Sequence, residues 1–482
     1  MVPERSAVLV AADVFDLEGG RAGDLLRLRR GVCWPASVVL TSSIVLLALL
    51  YLSIPDTLIE PPGWTPQSGH AAQVAQLYRA HLAWPLPQVT ADQLRVWNPT
   101  LLVLAALSYG LAVWSRPDGL RWRSLAALSL PLAAASLFMP PLYATDIFFY
   151  GVMGEIAVRF GGNPYLLTPA DVPTSALLPF NYWTFISTPY GSVWTSVSAA
   201  AAYVSAGDPF LCTLLLKLVG LMAVIGASVA IGAFLSATHP RAAAFGTGMF
   251  LLNPFVWLDA VGNAHADALV AALTVAAAAL LARRHTLGAW CCLGVATLAK
   301  YVTGPVLLLF WLTRLRSAAS RRAGLRLALV LGGSLAALTI IGWMPYWAGP
   351  RTLSSLLDER SRGYGPVLLL LGMAGEALDL PDWVVATAVG LAASLLLLAL
   401  ALAIAWAARY AYRTCFTSSV VDEVRTWALT LTAVAALLPR THPWYALTGM
   451  ALLAAVHPKA RRTSILVYAA TGVWLLWRVG RI

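Results

Sequence analysis

A carboxylate stands where an apolar segment should be leaving a bilayer. In LYATDIFFYGVMGEIAVRFGGNPYLL (142–167), Asp146 directly follows a long apolar run, and an ionised side chain in such a place faces a cavity or a partner. If 145–158 is helical, Tyr150 and Met153 share its face, whereas Glu155 points to the other side. One base among aromatic rings suits the deprotonation of a single hydroxyl. The competing reading is an interfacial Asp that caps a helix after Thr145. GGNPY (161–165) then ends the helix, because glycine supplies a left-handed cap and proline cannot continue the spiral. An ordinary stop accounts for the glycines and Pro164 but leaves Asn163 and Tyr165 as candidates.

Three further stretches carry polar chemistry. NPFVWLDAVGNAHADAL (253–269) holds Asp259, Asn263, His265 and Asp267 between two apolar segments. A lone His-x-Asp is a poor metal signature, so the expectation is a polar cluster closing a cavity, with no metal. Lys300, in LAKYVTG (298–304), is one of three lysines, beside Lys217 and Lys459, in a chain whose other basic residues are arginines. A buried cation calls for an anion such as a phosphate, or it pairs with a structural carboxylate or snorkels to the interface. PRTHPWY (439–445) sets Arg440 and His442 ahead of Trp444 and Tyr445. Aromatic belts explain the two large rings, but not the basic pair. RSRGYG (360–365) is a second basic and aromatic cluster.

The elements that hold these residues are membrane helices. Of 482 residues, 59% are hydrophobic and 11% charged, against about 25% charged in soluble proteins. The net charge of +11 reads as cytoplasmic loop charge rather than a nucleic-acid surface. The first apolar run begins near Pro35, too late for a simple cleaved signal peptide. The five cysteines lack ligand-like spacing. Apolar segments fall at about 36–53, 100–114, 123–140, 210–236, 242–258, 267–282, 324–345, 383–407, 426–438, 443–456 and 463–478, which predicts about eleven spans. The basic runs at 27–30, 115–123, 282–285, 313–322, 409–413 and 458–462 belong inside.

Two departures from alternation follow. The runs at 282–285 and 313–322 share a side only if half-helices at 288–299 and 303–313 form a re-entrant pair, with Lys300 at its buried apex. Residues 190–207 read as an interfacial helix, so 141–209 becomes one long outer segment carrying the site. Residues 1–122 then form a tail and two extra helices with an outer loop, and 123–482 the catalytic region.

The Asp after a membrane helix, the small-residue helix into NPY and TPYGSVW (188–194) together resemble the first outer loop of GT-C glycosyltransferases. NPFVWLDAVGNAHADAL, a basic turn and LGVATLAKY (293–301) are similar to the polyprenol-phosphate-mannose-dependent mannosyltransferases of actinobacterial envelopes, and family 87 enzymes look related. The resemblance spans about 123–457; this chain has Ala266 where those enzymes commonly have Asn, and Tyr301 follows Lys300. It implies an all-α, polytopic GT-C bundle in the plasma membrane with its site facing the exterior. The donor would be a polyprenyl-phosphate sugar, most often mannose, and the acceptor a glycan or glycolipid. Membrane lipid would be the remaining partner, with no cofactor and no nucleic acid. Asp146 would be the catalytic base, with Lys300, Arg440 and His442 on the donor phosphate. Tyr150, Asn163, Tyr165, Tyr190, Asn263, His265, Asp267 and Tyr445 would line the substrates. A transporter or flippase of lipid-linked sugars also needs polar groups in a membrane cavity. So does a ligase using a diphosphate-linked donor. The long single outer segment and the lack of an internal repeat favour the transferase over a transporter.

Overall fold

The computed structural model describes residues 35–54, 71–83, 87–115, 122–141, 144–353, 366–415, 419–439, 442–456 and part of 465–472. Arg440, the 360–365 cluster, the basic runs 27–30 and 458–462 and most of the segment 463–478 lie outside these residues. Among the described residues the chain is helical, and its extended pairing is one isolated bridge between Ala348 and Pro350.

The first helices are α1 (Pro35–Leu52), α2 (Ala71–Leu82), α3 (Ala91–Ser115) and α4 (Trp122–Phe138). Next come α5 (Asp146–Val158), α6 (Ser192–Ser205), α7 (Pro209–Thr238), α8 (Ala243–Leu251), α9 (Asp267–Ala282) and α10 (Thr286–Ala299). Then follow α11 (Gly304–Arg316), α12 (Arg321–Trp343), α13 (Pro366–Ala377), α14 (Asp382–Thr414), α15 (Val420–Leu437) and α16 (Ala446–Val456). Five of them, α1, α3, α7, α12 and α14, are long and apolar enough to cross a membrane. The shorter apolar helices include α9 and α10, and α10 has 14 residues. At 1.5 Å per residue α10 is about 21 Å long, less than the ~30 Å hydrocarbon core.

One expected span is broken. The apolar segment 242–258 bends by 63° between Leu251 and Val256. Pro254 has no N–H to give, and the Phe255 N–H donates to Asn253 Oδ1 at 2.9 Å. Beyond the bend the backbone winds wide: the Asn263 N–H reaches Leu258 O, five residues back, at 3.1 Å. Such π turns recur at functional sites, and this one carries Asp259.

The 30-residue α7 is the spine, packed against α9, α8, α6 and the π turn. A Cβ at Gly220 would lie 2.3 Å from Ala260 O, so glycine there lets the π turn rest on α7. Lys217, fully buried on α7, donates to the carbonyls of Ser136 and Leu137 at 3.4 Å and to that of Met139. It thereby satisfies the open C-terminal end of α4. Its ammonium also lies 4.8 Å over the ring of Tyr78 on α2. Tyr78 Oη donates to Thr213 at 2.9 Å, and Arg79 donates to Leu52 O at 3.0 Å and to Ile54 O. These contacts tie α2 to α7 and to the end of α1. Only 6% of the apolar window of α12, and of α14, is buried within the chain, and α14 runs for 33 residues.

Candidate active site

Asp146 is the first residue of α5, where unpaired backbone N–H groups favour a negative charge. Its Oδ1 accepts from Trp183 Nε1 at 2.9 Å. Trp183 is held by a local turn in which its N–H donates to Asn181 Oδ1 at 3.0 Å and Asn181 Nδ2 donates back to Trp183 O at 3.2 Å. Asp146 Oδ2 lies 3.7 Å from His265 Nδ1, and the opposite ring nitrogen, Nε2, lies 3.5 Å from Asp259 Oδ1. That same oxygen of Asp259 accepts from Asn263 Nδ2 at 3.0 Å.

The backbone is strained to deliver this row. Between Asn263 and His265 sits Ala264, fully buried at φ +51°, a conformation that costs a residue with a Cβ about 1–2 kcal/mol. His265 then stacks on Trp444, with centroids 3.9 Å apart and planes 15° from parallel. Trp444 stacks in turn on His442 at 4.4 Å and 3°. A three-ring pile thus joins α16's approach to the π turn.

The second half of the site centres on Lys300, where the chain becomes extended between α10 and α11. Its Nζ donates to Asp267 Oδ2 at 2.7 Å and lies 3.6 Å over the Tyr445 ring and 5.8 Å over that of Tyr190. Tyr190 is pressed into place by its neighbour. The Gly191 N–H donates to Ala299 O at 3.1 Å, and a Cβ at 191 would lie 2.0 Å from Leu298 O. Tyr150 Oη donates to Tyr190 Oη at 3.1 Å, and the rings meet edge to face at 5.0 Å. Burial, and after it the charge of Asp146, holds the Tyr150 phenol well above its ordinary range. It is therefore a neutral donor at working pH.

A family model described as "Alpha-(1->6)-mannopyranosyltransferase, N-terminal domain" matches residues 62–316, more than half of the chain and all of the site except 442–445. The chain belongs to this family. Alpha-(1->6)-mannopyranosyltransferase A of Mycobacterium tuberculosis is 23% identical over 362 residues, covering 71% of this chain and 67% of that protein. No solved structure matches. The protein is a glycosyltransferase and, with its apolar helices, a multi-pass membrane one.

Within this mannopyranosyltransferase family member, the candidates separate into two groups. Asp146, Tyr150, Tyr190, Asn263, His265, Asp267, Lys300, His442 and Tyr445 come together. Asn163 stands apart: Nδ2 donates to Tyr346 O at 2.7 Å and Oδ1 accepts from the Tyr165 N–H at 3.0 Å, which fixes the turn after α5. Tyr165 supports Tyr190, donating to its carbonyl at 3.0 Å. Glu155 faces away from Asp146, as its spacing predicts, and binds Arg159 and Ser175. Sequence reasoning missed Trp183 and treated Trp444 as a belt residue. For Trp183 the one local signal is the Asn two positions earlier, which marks an Asx turn. Among the described residues, no group of three or more His, Cys, Asp or Glu is arranged to hold a metal ion.

Chemically, the site offers a fixed carboxylate and a buried cation, the latter bordered by the Tyr150–Tyr190 pair. Asp146 is the most open of its three carboxylates, with 13% of its side chain exposed against 0% for Asp259 and 1% for Asp267.

Proposed function

We propose that this enzyme transfers mannose from a polyprenyl-phosphate donor to a glycan or glycolipid at the outer membrane face. Asp146 is the general base of a single inverting displacement. The acceptor hydroxyl attacks C1 of the sugar as the C1–O bond to phosphate breaks. Its proton passes to Asp146, and polyprenyl phosphate leaves with the bonding electrons. A β-linked donor gives an α product. The observation that carries the reading is the state of Asp146: one oxygen is fixed by Trp183 and the other remains for a proton.

Lys300 stabilises the leaving phosphate together with Arg440 and His442, an electrostatic contribution that grows in a water-poor site. One of the three ammonium donors holds Asp267, and the rings of Tyr445 and Tyr190 border the same cation. Asn263, His265 and Asp267 are buried, so they shape the wall behind the sugar rather than the opening. Tyr150 supports the acceptor side as a neutral donor. The remaining short helices complete a bundle of about eleven spans, with α10 and α11 turning back on each other at Lys300.

The test is transfer by purified protein from synthetic polyprenyl-phosphate-mannose. Asp146→Asn should lower turnover by about 10²–10⁴-fold while donor binding is kept. Near wild-type turnover in this variant overturns the base. Efficient transfer from a nucleotide sugar alone overturns the donor class.

A further inference from the structure

Behind Asp146 lies a row of groups that no substrate can touch. His265 and Asp259 have fully buried side chains, and Asp146 is the member of the row with part of its side chain open. Neither ring nitrogen of His265 has a hydrogen bond among the described residues. Instead each faces one carboxylate oxygen, Nδ1 towards Asp146 at 3.7 Å and Nε2 towards Asp259 at 3.5 Å. Catalytic contacts of this length commonly tighten when substrate binds. Asn263 Nδ2 fixes Asp259 Oδ1 at 3.0 Å, and the stack on Trp444 fixes the plane of the imidazole.

We propose that His265 is a positioning and proton-accepting residue that acts through Asp146, forming a relay Asp146–His265–Asp259. The inference rests on Asp146 being the base. In nucleophilic triads, a carboxylate behind an imidazole sets its tautomer and balances the imidazolium. Asp259 stands in that position, so Nε2 carries the hydrogen and the Nδ1 lone pair faces Asp146. As the acceptor oxygen bonds to C1, its proton goes to Asp146 Oδ2. The proton then moves to His265 Nδ1, leaving Asp146 ionised again and an imidazolium against Asp259. Asp259 balances the imidazolium, so the transfer runs inward. The proton returns to solvent through Asp146 after the products leave.

The relay requires a neutral His265 before each turnover, so its signature lies in pH dependence. The charged groups around the ring are Asp146 from α5, Asp259 from the π turn, His442 beyond Trp444, and the neighbouring Asp267–Lys300 pair. The experiment is the kcat–pH profile with both substrates saturating, for wild type, His265→Gln, Asp259→Asn and Asp146→Asn. Wild type should lose activity on its acid side, where the ring is held protonated and closed to the relay. His265→Gln should be slower by about tenfold or more, with its acid limb displaced to lower pH. Asp259→Asn, which keeps the shape and serves if His265→Gln does not fold, should move the limb to lower pH as the cation loses its partner. If Asp146→Asn is inactive while the limb stays put in the other two variants, the relay is wrong and His265 is packing. An active Asp146→Asn overturns the base reading itself.

Discussion

Lys300 shows how two roles at one residue are separated. Its ammonium holds the buried carboxylate of Asp267 at 2.7 Å, and the sequence alone left phosphate binding and carboxylate pairing side by side. Removing one partner of a buried pair strands the other and costs about 3–5 kcal/mol. Lys300→Ala should therefore lower stability by roughly that amount and weaken donor binding at least tenfold. Adding Asp267→Asn should restore the melting temperature but not the affinity for polyprenyl-phosphate-mannose. If affinity returns together with stability, the lysine serves only its carboxylate. At this scale the sequence was most legible where a residue was out of keeping with its surroundings: Asp146 after an apolar run, or a lysine among arginines. It was least legible for Trp183 and Trp444. A tryptophan near a membrane has an ordinary explanation, and the contact from Trp183 to Asp146 crosses 37 residues of chain.

Elements are positioned by a few close approaches that the hydrophobic pattern does not encode. Helix extents such as α7 and α12 follow from apolar length, and the break around Lys300 follows from interrupted hydropathy. The 63° bend at Asn253–Pro254 was not inferred, because the residues on both sides are apolar and a length count runs through it. Gly191 is the tightest of these approaches at the site. Its added methyl would meet a backbone carbonyl, Leu298 O, that cannot rotate away. Overpacking typically costs about 1–3 kcal/mol, and Gly191→Ala should fall at the upper end of that range. Because Tyr190 is the adjacent residue, turnover should drop along with thermal stability. Unchanged melting and turnover would show that the loop is not anchored on α10.

For the whole molecule, the positive-inside reading places the loop carrying Trp183 outside and the turn between α11 and α12 inside. Phe185 is 76% exposed and Ala319 is exposed as well, so both accept a probe without disturbing the core. On a cysteine-free background, Phe185→Cys should react with an impermeant maleimide on intact cells. Ala319→Cys should react only after permeabilisation; the opposite pattern inverts the topology and puts the donor on the wrong leaflet. The last consequence comes from α14. Its 33 residues amount to about 50 Å of helix, some 20 Å more than a typical hydrocarbon core, and only 6% of its most apolar stretch is buried within the chain. Such a rod must incline, project past the headgroups or recruit thicker surroundings. Turnover in vesicles of defined acyl length should therefore change with bilayer thickness; identical rates across thin and thick bilayers would show that α14 adapts without consequence for the site.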